Sequence, residues 1–400
     1  MMQGEGVMQL SGRMAQLGTE TAFEVLARAN ALAAQGKSVI NLGIGQPDFP
    51  TPGHIVEAGR KALADGHHGY TPANGIPELR AAVAADIHRR HGADVDPDHI
   101  VCVPGGKVTM AFAMLMFGEA GAEIMYPDPG FPIYRSMIEF SGARAVPIRL
   151  HEANGFSFSA EEVLAQVTDR TRLIILNSPA NPTGGVVPRA EIDRLVEGLA
   201  RFPDVAIMSD EIYSCMTYDG LDHVTLLDYP SIRDRLIVLD GWSKTYAMTG
   251  WRLGWGLWPA SLAPLAGKLA VNTHSCVNAA TQFAGIAALE GPQDAVQEMV
   301  AAFDLRRTRM VALLNDMPGV SCVMPKGAFY AFPNITGTGL DSATMQDRLL
   351  QETGVAAIAG TSFGRFGEGY LRFSCASSID NIEEAMARMK GWLAENVGTE

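Results

Sequence analysis

Several residue types are too scarce or too scattered in this chain to build on. Only five cysteines occur in 400 residues (Cys102, Cys215, Cys276, Cys322 and Cys375), with no Cys-x-x-Cys spacing and no histidine pair at zinc spacing. That pattern speaks against a disulfide framework or a zinc module; the expectation is reduced thiols packed as small hydrophobes, a cytoplasmic location and no bound metal. No stretch approaches the ~20 apolar residues of a membrane span. The first sixteen residues mix Glu5, Arg13 and glycines without the apolar segment of an export signal. Positive charge is scarce as well: 31 Lys and Arg against 44 Asp and Glu leave a net charge of −13. Neither a nucleic acid nor an anionic membrane surface is then an expected partner, because both are held by clustered cations.

What is present is ordinary globular material, 47% apolar and 19% charged. At this length one hydrophobic core stops growing, so a large domain with a smaller companion is expected. Thr21 to Gln35 carries apolar residues at helical spacing and stops at Gly36, a natural C-terminal cap. From Pro52 to Gly291, short apolar runs alternate with helical stretches, which implies parallel strands joined by helical crossovers. The runs include Ile100 to Val103, Ala122 to Tyr126, Leu173 to Leu176, Val205 to Met208 and Leu236 to Leu239, continuous enough to be covered on both faces. After Gly291-Pro292 a long helical pattern leads to strand-like segments at Gly327 to Phe332 and Tyr370 to Ser374, then to a helix from Ile379 to Asn396. The expected fold is α/β. Residues 52–291 form a large domain with a mostly parallel, doubly wound sheet, residues 292–400 a smaller α+β domain, and residues 1–51 an arm and part of that smaller domain.

In such sheets ligands lie beyond the carboxyl ends of the strands. Three runs end in chemistry: Asn177-Ser178-Pro179-Ala180-Asn181, Asp210-Glu211-Ile212-Tyr213, and Asp240-Gly241-Trp242-Ser243-Lys244. A fourth ends in Pro104-Gly105-Gly106-Lys107 and runs straight into a helical pattern, a plausible phosphate cradle of backbone N–H groups, though glycine turns before helices are common.

The segments SPANPTG (178–184), SDEIY (209–213), SKTYAMTGWRLGW (243–255) and LRFS (371–374), with NLGIGQPDFPTP (41–52) and YTPANGIPELR (70–80), resemble the class I/II aminotransferases. These are fold-type I enzymes of amino-acid metabolism that depend on pyridoxal 5'-phosphate, and the aspartate aminotransferase Iγ subgroup is the nearest in pattern. The resemblance implies that Lys244 forms the imine with the cofactor and moves a proton at the substrate α carbon. It implies that Asp210 pairs with the pyridine nitrogen, and that Tyr213 and Asn181 hydrogen-bond the phenolic oxygen. The cofactor phosphate would be held by the backbone at Gly106 and Lys107, the side chains of Ser243 and Arg252, and Tyr70 from a second subunit. Phe131 would stack on the ring, where many relatives carry Trp or Tyr. Arg372, assisted by the backbone of Gly45 and by Asn181, would grip the substrate α-carboxylate. A homodimer with shared active sites follows from the role given to Tyr70.

The expected reaction moves an amino group from an L-amino acid to a 2-oxo acid, with 2-oxoglutarate the usual acceptor. A β-lyase, decarboxylase or racemase on the same scaffold stays open, since only the orientation of the breaking bond selects among them. A non-catalytic module is not expected, because Lys244 is present and the stretch before Thr21 is too short for a helix-turn-helix. The segment Asn272 to Asn278, which resembles the one that approaches the side-chain pocket across the interface, offers His274 but no Lys or Arg. Glu20 would repel a second carboxylate if it faced the pocket. Neutral or aromatic donors are therefore expected above strict aspartate use.

Overall fold

The computed structural model describes residues 8–397; the first seven residues of the expected arm and the last three of the chain lie outside the described residues. Each apolar run that the sequence marks becomes a strand. In chain order the strands are β1 (Ile40–Asn41), β2 (Ile100–Val103), β3 (Glu123–Asp128), β4 (Arg144–Arg149), β5 (Thr171–Asn177), β6 (Ala206–Asp210), β7 (Leu236–Gly241), β8 (Gly254–Leu257), β9 (Tyr330–Ala331), β10 (Val355–Ala356), β11 (Ile358–Ala359) and β12 (Leu371–Ser374). Seven of them form one sheet in the order β2-β8-β7-β6-β5-β3-β4, parallel except for β8, which runs antiparallel to both neighbours.

Continuous apolar runs belong in a sheet covered on both sides, and the side chains divide accordingly. Ile174, Leu176, Ile207 and Val238 join one hydrophobic cluster, while Leu173, Ile175, Met208, Ile237 and Leu239 join another on the opposite face. This is the α/β, mostly parallel sheet that the sequence implies.

A third cluster joins Ile40 and Leu42 to Phe303, Met310, Leu314, Phe329, Phe373, Met386 and Trp392. It includes residues of the long helix Asp294–Asn315 and of the helix Ile379–Asn396. Beside these helices lie a three-stranded sheet, β11-β12-β9, and a parallel pair of β1 with β10. The strand expected over Gly327 to Phe332 shrinks to β9, because Ala328 takes a left-handed φ of 54° and breaks the extended backbone ahead of it. The first long helix, Thr21–Ala34, ends as expected ahead of Gly36 at φ 84°. Among the described residues no helix is long and apolar enough to cross a membrane.

Candidate active site

Because β8 is antiparallel, its amino end lies beside the carboxyl ends of β2 and β7: Gly254 pairs with Val103 and with Gly241. The loops after β2 and β7 and the turn before β8 therefore meet. Together with the ends of β5 and β6 they surround a cavity of about 580 Å3. Of the residues picked out from the sequence, Gly45, Gly106, Lys107, Phe131, Asn181, Asp210, Tyr213, Ser243, Lys244, Arg252 and Arg372 all line it. Tyr70 does not; it stands 93% exposed on the surface of its own chain.

Lys244 lies in a short helix directly after β7, and its ammonium donates to the carbonyl of Gly45. Burial, then the nearby cations Arg372 and Lys107, lower its pKa to about 8, so that a useful fraction of the amine is neutral near pH 7.

Three buried carboxyls cluster beneath the cavity, and their partners separate their roles. Glu211 accepts from Ser209, Thr225 and the Leu226 N–H and faces His223 at 2.9 Å, so its oxygens are satisfied away from the cavity. Asp240 accepts from its neighbour's N–H at Gly241 and from Ser214. Asp210 alone lines the cavity, where it takes a 2.5 Å hydrogen bond from the Tyr134 hydroxyl. Burial pushes its carboxyl up to about 7, with Asp240 and Glu211 adding to the rise and the Tyr134 hydrogen bond opposing it. Among the described residues no cation pairs with Asp210, and a protonated pyridine nitrogen would supply one.

The opposite pole of the cavity is a guanidinium. Arg372 on β12 is 4% exposed and donates to Asn181 Oδ1 at 2.9 Å and to the Gly43 carbonyl. Its centre lies 4.7 Å from the ring of Tyr330 and 4.6 Å from that of Phe363. No carboxylate pairs with it among the described residues, and its Nε has no partner at all. A buried guanidinium without an acid is costly unless a ligand provides one, and its planar fork suits a carboxylate.

The loop after β2 has the form of an anion cradle. Gly105 adopts φ 91°, and a Cβ there would lie 2.1 Å from Arg252 Nη2; a Cβ on Gly254 would lie 2.6 Å from the Gly106 nitrogen. Glycine is needed at both places for the close approach. The helix Lys107–Phe117 starts at this loop, and Arg252, itself at φ 56°, donates among the described residues only to the carbonyls of Thr249 and Pro104. Lone carbonyls leave a guanidinium free to take up phosphate oxygens. A buried amine, a buried carboxyl, a glycine loop beside a free guanidinium and a second guanidinium without an acid together fit pyridoxal 5'-phosphate and an amino-acid substrate.

Tyr213 meets the Tyr330 hydroxyl at 2.8 Å, and burial raises its pKa well above the ordinary phenol value. Phe131 sits edge-on to Tyr134, with the Lys107 ammonium 5.2 Å from its ring centre. Lys107 also pairs with Glu20, which lines the cavity too.

Sequence reasoning passed over Tyr134, Tyr330 and Phe363. Tyr134 reads as one apolar position of a helix, and Tyr330 lies in the aromatic run Phe329-Tyr330-Ala331-Phe332, where any ring could be core. The one available signal was a hydroxyl in each otherwise apolar setting.

A model of the family described as aminotransferase class I and II matches residues 37–389. An aspartate aminotransferase of Pyrococcus abyssi is 37% identical over 91% of this chain and 94% of its own length. An aspartate/prephenate aminotransferase of Cereibacter sphaeroides is 36% identical over 96% and 98%. Among solved structures, the aspartate aminotransferase of Rhizobium meliloti superposes with a TM-score of 0.93 at 32% identity, covering 98% of this chain and all of that one. With a cavity that fits the cofactor and a likeness running nearly end to end, the chain belongs to the class I and II aminotransferases, the transaminases of fold type I that depend on pyridoxal phosphate.

Proposed function

We propose that this aminotransferase moves the amino group of an L-amino acid to 2-oxoglutarate, with Lys244 as the amine that carries the cofactor. The supporting observation is the convergence on one cavity of a lysine lowered to about 8, the Asp210 carboxyl and the unpaired Arg372 guanidinium. When bound, the cofactor supplies an electron sink for the bond that breaks at the substrate α carbon.

The protein's own groups do the rest. Arg372 takes the α-carboxylate, with Asn181 and the Gly45 backbone beside it, and so fixes where the α hydrogen points. The neutral amine of Lys244 would accept the α proton and return it. Asp210 holds the ring nitrogen in its protonated state, and Tyr213 with Asn181 steadies the phenolic oxygen. The backbone at Gly106 and Lys107 and the side chains of Ser243 and Arg252 would hold the phosphate, and Phe131 would cover the ring.

We read the enzyme as a cytoplasmic homodimer in which Tyr70 of one subunit completes the phosphate site of the other; its exposure on its own chain and the five free thiols support this. We also read residues 52–291 as the cofactor domain and 292–400 as the smaller domain joined by part of the arm 1–51, supported by the pairing of β1 with β10.

Two measurements test the reading. Borohydride treatment of the purified protein should abolish its near-visible absorbance and leave a cofactor label on Lys244 in a peptide digest; a label elsewhere sinks the assignment. Incubation of amino-acid donors with 2-oxoglutarate should yield glutamate, whereas ammonia and pyruvate would mark a lyase.

A further inference from the structure

We propose that Glu20 sets the donor range of this enzyme by serving as an exchangeable counter-ion for Lys107. The inference rests on the aminotransferase reading above. Four cations line the cavity among the described residues: Lys107, Lys244, Arg252 and Arg372. With Lys244 and Arg252 given to the cofactor and Arg372 to the α-carboxylate, Lys107 is the one left for an acid on the substrate side chain. Glu20 already holds it, Oε1 to Nζ. The carboxylate, its side chain 16% exposed, is the inner member of the pair, and the Lys107 side chain, 43% exposed, sets its ammonium against Phe131.

Among the described residues no other hydrogen bond holds the Glu20 side chain. It stands at the start of the helix Thr21–Ala34, yet its side chain makes no capping hydrogen bond. Next to it the Thr21 hydroxyl is buried, lines the cavity and has no partner among the described residues. A helix start, a free hydroxyl and a lysine favour a carboxylate at this end of the cavity, whichever molecule brings it.

Two substrate classes then fit one cavity. For a neutral or aromatic side chain, Glu20 stays on Lys107, so no cation is left unpaired against an apolar group and Phe131 offers a ring to pack on. For aspartate or 2-oxoglutarate, the second carboxylate takes Glu20's place on Lys107 and Glu20 moves out toward water. The number of ion pairs is the same before and after, so the exchange is permitted, but each dicarboxylate must compete with a resident acid. Neutral donors meet no such competitor.

The test is steady-state kinetics of the holoenzyme with Glu20→Gln, and with Glu20→Ala as a second form. Cofactor absorbance and melting temperature serve as controls on folding. Removing the competitor should lower KM for aspartate and for 2-oxoglutarate and raise kcat/KM for aspartate relative to phenylalanine by about tenfold. In a Lys107→Met background, which keeps the backbone N–H of the phosphate loop, Glu20→Gln should give no such gain. An unchanged or falling aspartate-to-phenylalanine ratio overturns the proposal, as does a gain that persists without Lys107. The parent reading is judged separately, by whether the wild-type protein forms glutamate from any donor at all.

Discussion

The Tyr134 hydroxyl donates to Oδ2 of Asp210 at 2.5 Å, and both groups are buried. It is the strongest influence opposing the rise in the Asp210 pKa caused by burial. Without it the carboxyl would hold its proton more tightly at neutral pH. Tyr134→Phe, which keeps the ring against Phe131, is expected to lower kcat by about ten- to a hundredfold at pH 7, in line with the ~1.5–3 kcal/mol of a hydrogen bond to a charged group. The acid limb of the pH–rate profile should move upward. A profile that drops uniformly with no shift of the limb would assign Tyr134 to packing alone.

Asp210 also leaves a signature in stability. Its folded pKa of about 7 exceeds the ordinary 3.8, so from about pH 4 to 7 the folded protein keeps a proton that the unfolded chain has lost. The cofactor-free protein should therefore lose stability as pH rises through that window. Asp210→Asn, neutral at every pH, should raise the melting temperature of the cofactor-free protein by a few degrees at pH 8 and change it little at pH 4. Equal effects at both values would refute the account.

Arg372 separates stability from function. Its guanidinium is buried with no acid beside it in the free protein, so Arg372→Met should leave the melting temperature unchanged or higher. The same change should cut kcat/KM at least ~100-fold through loss of the α-carboxylate clamp. Melting curves and kinetics on one preparation check both halves.

Gly254→Ala would place a Cβ 2.6 Å from the Gly106 nitrogen, and it would push β8 away from the phosphate cradle. Cofactor affinity should fall tenfold or more, read from the phosphate-loop titration of cofactor-free protein followed by absorbance, while Gly267→Ala, whose Cβ meets nothing within 4 Å, should be silent.

Tyr70 tests the shared site. Tyr70→Phe homodimers should bind the cofactor more weakly, and Lys244→Ala homodimers should be inactive. Hybrids of the two contain one site with both residues intact, and that site should regain wild-type affinity. Hybrids no better than Tyr70→Phe alone would show that each chain serves itself.

The strands that carry the chemistry were legible because their runs are continuous and end in polar residues: β5 in Asn177, β6 in Asp210 and β7 just before Lys244. The strand β4 was less so, since Arg144 and Arg149 cap it at the sheet edge, and β8 was hidden in a Gly-Trp-Gly pattern that reads as a loop. Arg372 could be picked out because an arginine inside an apolar strand demands an anion. The pairing of Lys107 with Glu20 could not, because the two are 87 residues apart and meet only once a helix from each end of the fold is in place. Tyr134 and Tyr330 escaped notice since a phenol amid core rings shows its role only through the partner of its hydroxyl.

The reversal of β8 has a mechanical consequence. Lys244 and Arg252 both belong to the loop that joins β7 to β8, two adjacent strands locked by the pairs Val238 to Leu257 and Gly241 to Gly254. The proposed covalent tether and the proposed phosphate anchor thus sit on one stiff bracket. A shift of the β12 side of the cavity against the large sheet would leave the distance between Lys244 and Arg252 unchanged. Such a movement would be felt by a substrate held at Arg372 and not by a cofactor held on the bracket, as a gimballed compass stays level while the casing turns around it.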